Sequence, residues 1–593
     1  MLETGGVYMP RALVHNISNC ILEYYEKYLS DFLRITRKAK WRFEHRDWQG
    51  RHKDALSRFD LYERSLEKVG RCLEVLMGNK LYERDFWTAV KGNYQKLIKG
   101  RYDIEIARTY YNSVTRKIFH TIGLDRDIEY FSLELAAGSG DRCEGICTRY
   151  PESLATKEII YQIMYDHRFH VEYEDIERDC ELVAREIDLQ LWPILGFDKH
   201  RSIEVIIPVF YRNKAAYVIG RIIADDHILP LVLPMYNGER GIYIDTVLMS
   251  ESEVSTVFSF AYSYFHVDAA RHDILIDFLR TILPDKPVAE LYTSIGFNKP
   301  GKTEFYRDLH KFVHESHEKF VIAPGKEGAV MIVFTLPDFN FVFKVIKDRP
   351  CFLRSREMTS KIISRDEVRA RYDFVCHRDR VGRMVDTQEF ENLRFRRKRF
   401  STRLLREFKS AAAGIVTVDD EYVVIRHLYV QRKVLPLPIY LLAEKNAETI
   451  RKTIIDFGYF LKDLAATGIF PSDIFNTWNY GVTLRERVVL FDYDDVIPLE
   501  NIRFREKPRP HDEQQEMDLE ENWIVAGTDD YFLDEIYKYT GIPEPLKGIF
   551  REIHSDLLTS RYWRVMLRRV RNGEIMDITP YDRSKRFRNR KVY

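Results

Sequence analysis

Residues 469–496, IFPSDIFNTWNYGVTLRERVVLFDYDDV, constrain this chain more than any other stretch. An acid, Asp473, follows directly on an apolar helical pattern, and two amides, Asn476 and Asn479, come shortly after it. An apolar strand pattern, Val488, Val489, Leu490 and Phe491, then runs straight into Asp492, Asp494 and Asp495. Carboxylate and amide oxygens offered by a loop and a strand end are the hard donors that magnesium takes. The same letters also describe a loop and a strand end whose acids are solvated, and the stretch alone leaves both readings open.

The segments before it narrow the choice. From Ala447, apolar residues at Ile450, Ile454, Phe457, Leu461 and Leu464 predict an amphipathic helix that delivers the chain to Asp473. Gly468 suits the left-handed cap that ends such a helix. Further upstream, Pro324, Gly325 and Gly328 predict a turn before an apolar strand at 329–336. A second turn, Pro337-Asp338-Phe339-Asn340, leads to a strand at 341–347 with Lys344 in its middle. Ser364-Arg365-Asp366-Glu367 reads as a capping box opening a helix through Val368, Tyr372 and Val375. More strand is expected at 422–430.

Glycine turn, strand, turn, strand with a lysine, helix, strands, long helix, Asp, Asn, strand, Asp is the order found in protein kinases. There the glycine loop covers the nucleotide phosphates and the strand lysine pairs with them. The first Asp orients the attacking hydroxyl, and the Asn and the later Asp hold magnesium. The chain departs from that pattern in places. No His-Arg precedes Asp473, which follows Phe470-Pro471-Ser472, and the Asp-Phe-Gly triplet reads Asp492-Tyr493-Asp494. Asn479 lies one step further from Asp473 than the kinase spacing, and Asn476 lies closer. For Lys344 the plain alternative is a strand-edge lysine with its head in water.

The first half has another texture. Phe59, Tyr62, Leu66, Val69, Leu73 and Leu76 fall on one stripe, predicting a long helix from Ala55 whose other face, including Arg58, Glu63, Arg64, Glu67 and Lys68, stays in water. Further helices are expected at 17–35, 85–99, 105–120, 254–265 and 272–283, and a small sheet at about 200–250. The chain therefore reads as α+β, with a mainly helical region at 1–315 and a second region at 316–593. The 92 basic and 91 acidic side chains nearly cancel, so global charge gives no sign of a nucleic-acid or membrane-surface partner. Seven scattered cysteines suggest reduced thiols in a cytosolic protein. Cys143 and Cys147 are the close pair, with no second pair or His cluster nearby to make a metal site. No stretch approaches the roughly 20 apolar residues a membrane span needs. The opening MLETGGVYMP is unlike a secretory signal, so a cytoplasmic location is expected.

Longer stretches carry a more specific likeness. Segments 210–216 (FYRNKAA), 342–349 (VFKVIKDR), 381–392 (VGRMVDTQEFEN) and 424–429 (VIRHLY), with Asp492-Tyr493-Asp494, closely resemble the bacterial isocitrate dehydrogenase kinase/phosphatase family, and weaker similarity covers nearly the whole chain. The resemblance implies a helical regulatory domain followed by a bilobal protein-kinase-like domain. It implies an enzyme that phosphorylates a serine of isocitrate dehydrogenase with Mg-ATP and also removes the phosphate. That reaction pair steers isocitrate between the citric acid cycle and the glyoxylate bypass. ATP hydrolysis and a response to AMP are implied as well. By position, Ala323, Pro324, Gly325, Lys326, Glu327, Gly328 and Ala329 become the ATP loop and Lys344 the phosphate-binding lysine. Asp473 becomes the kinase acid, Asp492 and Asn479 the magnesium ligands, with Asp494 available to a second metal, and Asp386 the acid specific to dephosphorylation. The competing reading is a kinase-shaped regulator that binds nucleotide and transfers nothing.

Two runs, 394–406 (RFRRKRFSTRLLR) and 583–591 (RSKRFRNRK), are locally basic. Solvated faces are the default for them, docking on an acidic partner comes next, and nucleic acid last.

Overall fold

In the N-terminal half, burial follows the helical stripes. The helix Arg11–Glu44 buries Ile17, Ile21, Tyr25, Tyr28 and Phe32. It packs on Leu61–Met77, Arg84–Leu97 and Ile104–Phe119. The computed structural model describes residues 11–133, 143, 145–151, 153–195, 201–225, 227–259, 264–325, 328–354, 359–380, 382–474, 476–505, 530–533 and 541–589.

The single helix expected from Ala55 is two, Trp48–Phe59 and Leu61–Met77, which meet at Asp60. Arg58 supplies the physical reason, because it does not lie on a wet face. Its buried guanidinium donates to the carbonyls of Tyr264 and Phe265 and to Thr36 Oγ1, and sits 4.9 Å from the centre of the Phe32 ring. Within Trp48–Phe59 it falls on the same stripe as the buried Arg51 and Asp54. The helix expected across 254–265 ends at Val257, and His266 instead pairs in antiparallel fashion with Tyr211.

Between these helices lies an antiparallel sheet of six strands, in the order Cys147–Tyr150, Arg201–Ile206, Ala215–Ala224, His227–Asn237, Ile242–Ile244, with Phe210–Arg212 beside the third. Alternate residues enter two different cores: Tyr217 and Ile219 face one, Val218 and Ile222 the other. Successive strand side chains point to opposite faces, so a strand buried on both sides reads as a continuous apolar run. Cys143 and Cys147 meet as a disulfide at one edge of this sheet, with Cα atoms 5.6 Å apart, where reduced thiols were expected.

The C-terminal half is bilobal. Its first lobe is an antiparallel sheet in the order Thr387–Arg396, Tyr422–Arg432, Phe341–Ile346, Met331–Thr335, Val321–Ile322, with Val416–Val418 also on the second strand. The helix Arg365–Arg378 lies against it, opened by the expected capping box at Ser364 and Glu367. Phe305 of the helix Asn298–Glu315 packs on Phe341 and Phe390, so the last N-terminal helix helps to close this core. The second lobe is built on the helix Ala447–Thr467, ended by Gly468 at φ 75°. No helix among the described residues is long and apolar enough to cross a membrane.

Among their described residues both basic runs make contacts within the protein, while Arg394, Arg396, Lys398, Arg403, Arg406 and Arg588 stay exposed as solvated faces would. In the first, Arg394 and Arg396 stack over Tyr422, Arg397 pairs with Asp420, and Arg399 donates to the Val313 carbonyl. In the second, the tail returns to the N-terminal sheet. The buried Asp245 accepts from Arg586 Nε at 2.9 Å and from Tyr581 Oη at 2.6 Å, and its carbonyl takes the Phe587 N–H. Arg588 pairs with Glu174, and Phe587 enters the sheet core. Arg586→Met leaves Asp245 buried with its cationic partner gone, which should cost about 3 kcal/mol. Arg34→Met, at the exposed Arg34–Asp31 pair, should cost less than about 1 kcal/mol. Urea denaturation of the two variants checks the difference.

Candidate active site

Two short strand pairs set the site. Ile469–Pro471 pairs with Val496–Pro498, and Tyr480–Val482 pairs with Val488–Leu490. The loop carrying Asp473 joins the first members of the two pairs, and the segment carrying Asp492 joins the second members. The two connections therefore lie side by side. Ser472 N–H donates to the Asp495 carbonyl at 2.7 Å, Asp473 N–H to Asp495 Oδ2 at 2.8 Å, and Phe491 N–H to the Asn479 carbonyl at 3.3 Å.

Lys344 reaches this place from the other lobe. It sits mid-strand between Met331–Thr335 and Tyr422–Arg432, is 4% exposed, and donates Nζ to the Phe491 carbonyl at 2.8 Å. Burial lowers its pKa, and the neighbouring charges of Asp492 and then Asp494 oppose that shift. Taking an ammonium out of water costs several kcal/mol unless anions compensate. A solvated strand-edge lysine is therefore not what the fold contains.

The acids are crowded. Burial pushes the pKa of Asp494 well up, and the charge of Asp492 pushes it further. Burial and then the charge of Asp473 do the same to Asp495. Asp494 Oδ1 and Asp495 Oδ1 are buried without a hydrogen-bond partner. Orphaned carboxylate oxygens beside Asp492 fit a hard divalent cation such as magnesium. Asn476 spends its side-chain oxygen on the Trp478 N–H and donates to Asn479 Oδ1 at 3.4 Å, so of the two amides Asn479 stands next to the Asp492 segment through its own carbonyl.

At the candidate ATP loop, Ala323 N–H donates to the Val333 carbonyl at 2.9 Å. Gly325 takes φ 130°, a conformation that disfavours side chains, and a Cβ on Gly328 would meet the Met331 carbonyl oxygen at 2.8 Å. Pro324 and Ala329 lie in the same connection, whereas Lys326 and Glu327 fall outside the described residues.

Asp386 lines a cavity of about 640 Å³ between the N-terminal helices and the first lobe, together with Arg58, Lys302, Arg369 and Tyr372. Burial, and next the charge of Glu290, push its pKa up to about 7. Its segment touches the site. Val385 N–H donates to the Leu490 carbonyl at 2.9 Å, Leu490 N–H donates to the Arg383 carbonyl at 2.8 Å, and Tyr493 Oη donates to the Val385 carbonyl.

Sequence reasoning missed several supports. Arg371, on the helix Arg365–Arg378, donates to the Asp494 carbonyl, and Tyr372 stacks on Tyr429 with ring centres 4.2 Å apart. Asp495 was visible as an acid, but its grip on the Asp473 backbone requires the two strand pairs.

A lysine-bearing sheet over a second lobe that gathers an Asp loop and a strand-end Asp makes this a protein-kinase-like enzyme. The family model for the isocitrate dehydrogenase kinase/phosphatase (AceK) regulatory domain matches residues 18–317, and that for its kinase domain matches 318–583. An isocitrate dehydrogenase kinase/phosphatase of Anaeromyxobacter sp. (strain Fw109-5) is 40% identical over 565 residues, 95% of this chain and 96% of the relative. Another, of Anaeromyxobacter dehalogenans (strain 2CP-C), is 36% identical over 603 residues, 99% of this chain and 100% of the relative. The chain belongs to the isocitrate dehydrogenase kinase/phosphatase family, a family of bifunctional kinase and phosphatase enzymes.

Magnesium should raise the melting temperature, because a bound cation relieves the carboxylate crowding; at a hundred times its dissociation constant the gain is about 2.7 kcal/mol. Asp492→Asn should lose most of that gain. Thermal unfolding with and without magnesium measures both.

Proposed function

We propose that the protein phosphorylates a serine of isocitrate dehydrogenase with Mg-ATP and removes that phosphate again. Its two regions are divided at 315/316 into a regulatory domain and a catalytic domain. The observation that carries the reading is the meeting of Lys344 with Asp492 and of Asp473 with Asp495, in a chain matched by this family along nearly its whole length. In the forward direction Lys344 binds phosphate oxygens of ATP, with Ala323, Pro324, Gly325, Lys326, Glu327, Gly328 and Ala329 as the loop over them. Asp473 orients the serine hydroxyl and takes its proton. Asp492 and Asn479 hold magnesium, with Asp494 able to assist. The cation supplies positive charge against the phosphates.

In the reverse direction Asp386 orients water against phosphoserine, while Lys344 screens the phosphate charge. A carboxyl with a pKa near 7 suits proton transfer at neutral pH, since it exchanges protons readily in both directions. AMP acts as an effector of both reactions. Slow ATP hydrolysis follows when water replaces the serine. This activity belongs in the cytoplasm, where it sets the flow of isocitrate between the citric acid cycle and the glyoxylate bypass.

Incubation with Mg-ATP and isocitrate dehydrogenase should yield phosphoserine with the wild type. Lys344→Met and Asp473→Ala should each lose at least about a hundredfold in rate. Nucleotide binding without transfer by the wild type would instead mark a non-catalytic regulator. Asp386→Ala should keep phosphorylation and lose dephosphorylation; equal loss of both removes the division of roles.

The pH dependence has a definite sign. Below about 7 the Asp386 carboxyl is neutral and cannot accept a proton from water; above it the carboxylate can. The kcat/KM for dephosphorylation should therefore climb with pH, by about tenfold per unit below the inflection, and level off above it. Glu290 is held ionised by Lys286 and Arg432 although burial opposes this. Glu290→Gln removes a raising influence and should move the inflection to lower pH.

A further inference from the structure

One guanidinium outside the catalytic set touches all three segments that carry the proposed acids. Arg383 is 4% exposed and lies three residues before Asp386. Its Nε donates to Asp463 Oδ2 at 2.9 Å, and its two terminal nitrogens grip Asp456 at 2.8 and 2.7 Å. It also donates to the Val488 carbonyl at 3.1 Å, and Asp456 Oδ2 takes the Val488 N–H at 2.7 Å. Asp456 and Asp463 stand two turns apart on the helix Ala447–Thr467, which leads to Asp473, and Val488 begins the strand that leads to Asp492. The backbone of Arg383 itself leads to Asp386. The remaining oxygen of Asp463 takes Arg583 at 3.2 Å, from the tail that continues to Asp245 of the N-terminal sheet.

The three acids stand at unequal distances along the chain from this hub, Asp386 nearest and Asp473 farthest. Asp473 has the Asp495 clasp and the Ile469–Pro471 strand pair, and Asp492 has the Lys344 bond to Phe491 and the Tyr480–Val482 strand pair. Asp386 lies three residues from Arg383, between the bridge at Met384 and Leu490, with the Tyr493 hydroxyl on the Val385 carbonyl, and the strand that begins at Thr387. We propose that Arg383 is a positioning residue for dephosphorylation, fixing Asp386 relative to Asp473 and Asp492 through Asp456 and Asp463. This rests on the reading of Asp386 given above. A planar fork gripping one carboxylate through two nitrogens and a second through Nε defines direction as well as distance, which a flexible ammonium cannot do.

The test is Arg383→Lys in the full-length protein, assayed in both directions against isocitrate dehydrogenase and its phosphorylated form. The expected result is a fall in the kcat of dephosphorylation of about ten- to a hundredfold, as misplacement by an ångström can produce. The KM for the phosphorylated dehydrogenase should hold within about twofold, and phosphorylation should fall several times less than dephosphorylation. An equal fall in both directions overturns the proposal and leaves Arg383 a structural residue. In an Asp386→Asn background, Arg383→Lys should lower the residual dephosphorylation rate no more than it lowers phosphorylation, whereas full additivity overturns it. Dephosphorylation that survives Asp386→Asn alone refutes the reading of Asp386 and is seen separately. If Arg383→Lys does not fold, Asp463→Asn, which keeps an oxygen facing Nε but loses the charge and the second acceptor, carries the same comparison, with a smaller fall expected and dephosphorylation still the more affected.

Discussion

Several carboxylates share a space from which most water has been removed, and the architecture of the C-terminal half answers that problem. Asp473, Asp492, Asp494 and Asp495 lie within each other's fields, and two of them are pushed toward the neutral form by burial and then by a neighbouring acid. Like charges at such range cannot all ionise without a counter-charge. Lys344 supplies one from the first lobe, at the cost of its own desolvation. The two lobes are therefore joined electrostatically as well as by packing. A cation and a phosphate chain placed between them would complete the balance, which is what phosphoryl transfer asks of a protein.

Around that charge problem the backbone does the holding. Two strand pairs of three residues each keep the Asp473 and Asp492 connections parallel. Arg383 and its two aspartates bind the long helix, the strand and the Asp386 segment into one unit. The tail ties that unit to the N-terminal sheet through Asp463 and Asp245. The region that lacks the reacting groups is thus mechanically continuous with the one that has them, and the cavity lined by Asp386 lies where the two meet.

Much of this was legible in the chain. The stripe from Ile450 to Leu464, the Gly468 cap and the Ser364 capping box all appear where local pattern puts them, because each rests on neighbours within one or two turns. Lys344 was legible as a strand lysine, but its burial was not, since that depends on what the opposite lobe places over it. Arg58 was misjudged for the same reason: at helical spacing it belongs to the charged face, and only the packing of Trp48–Phe59 and the carbonyls of Tyr264 and Phe265 bring it inside. The tail read as a solvated basic run because its partners, Asp245, Glu174 and Asp463, lie more than a hundred residues away.

By itself, then, the sequence determined the order of elements, the chemical type of each site residue and the family. These follow from local periodicity, turn chemistry and the identity of the side chains. Only the tertiary structure decided which acids share one field and which arginines hold them there. Those outcomes depend on desolvation and on distances between residues far apart in the chain, and neither quantity is carried by local pattern.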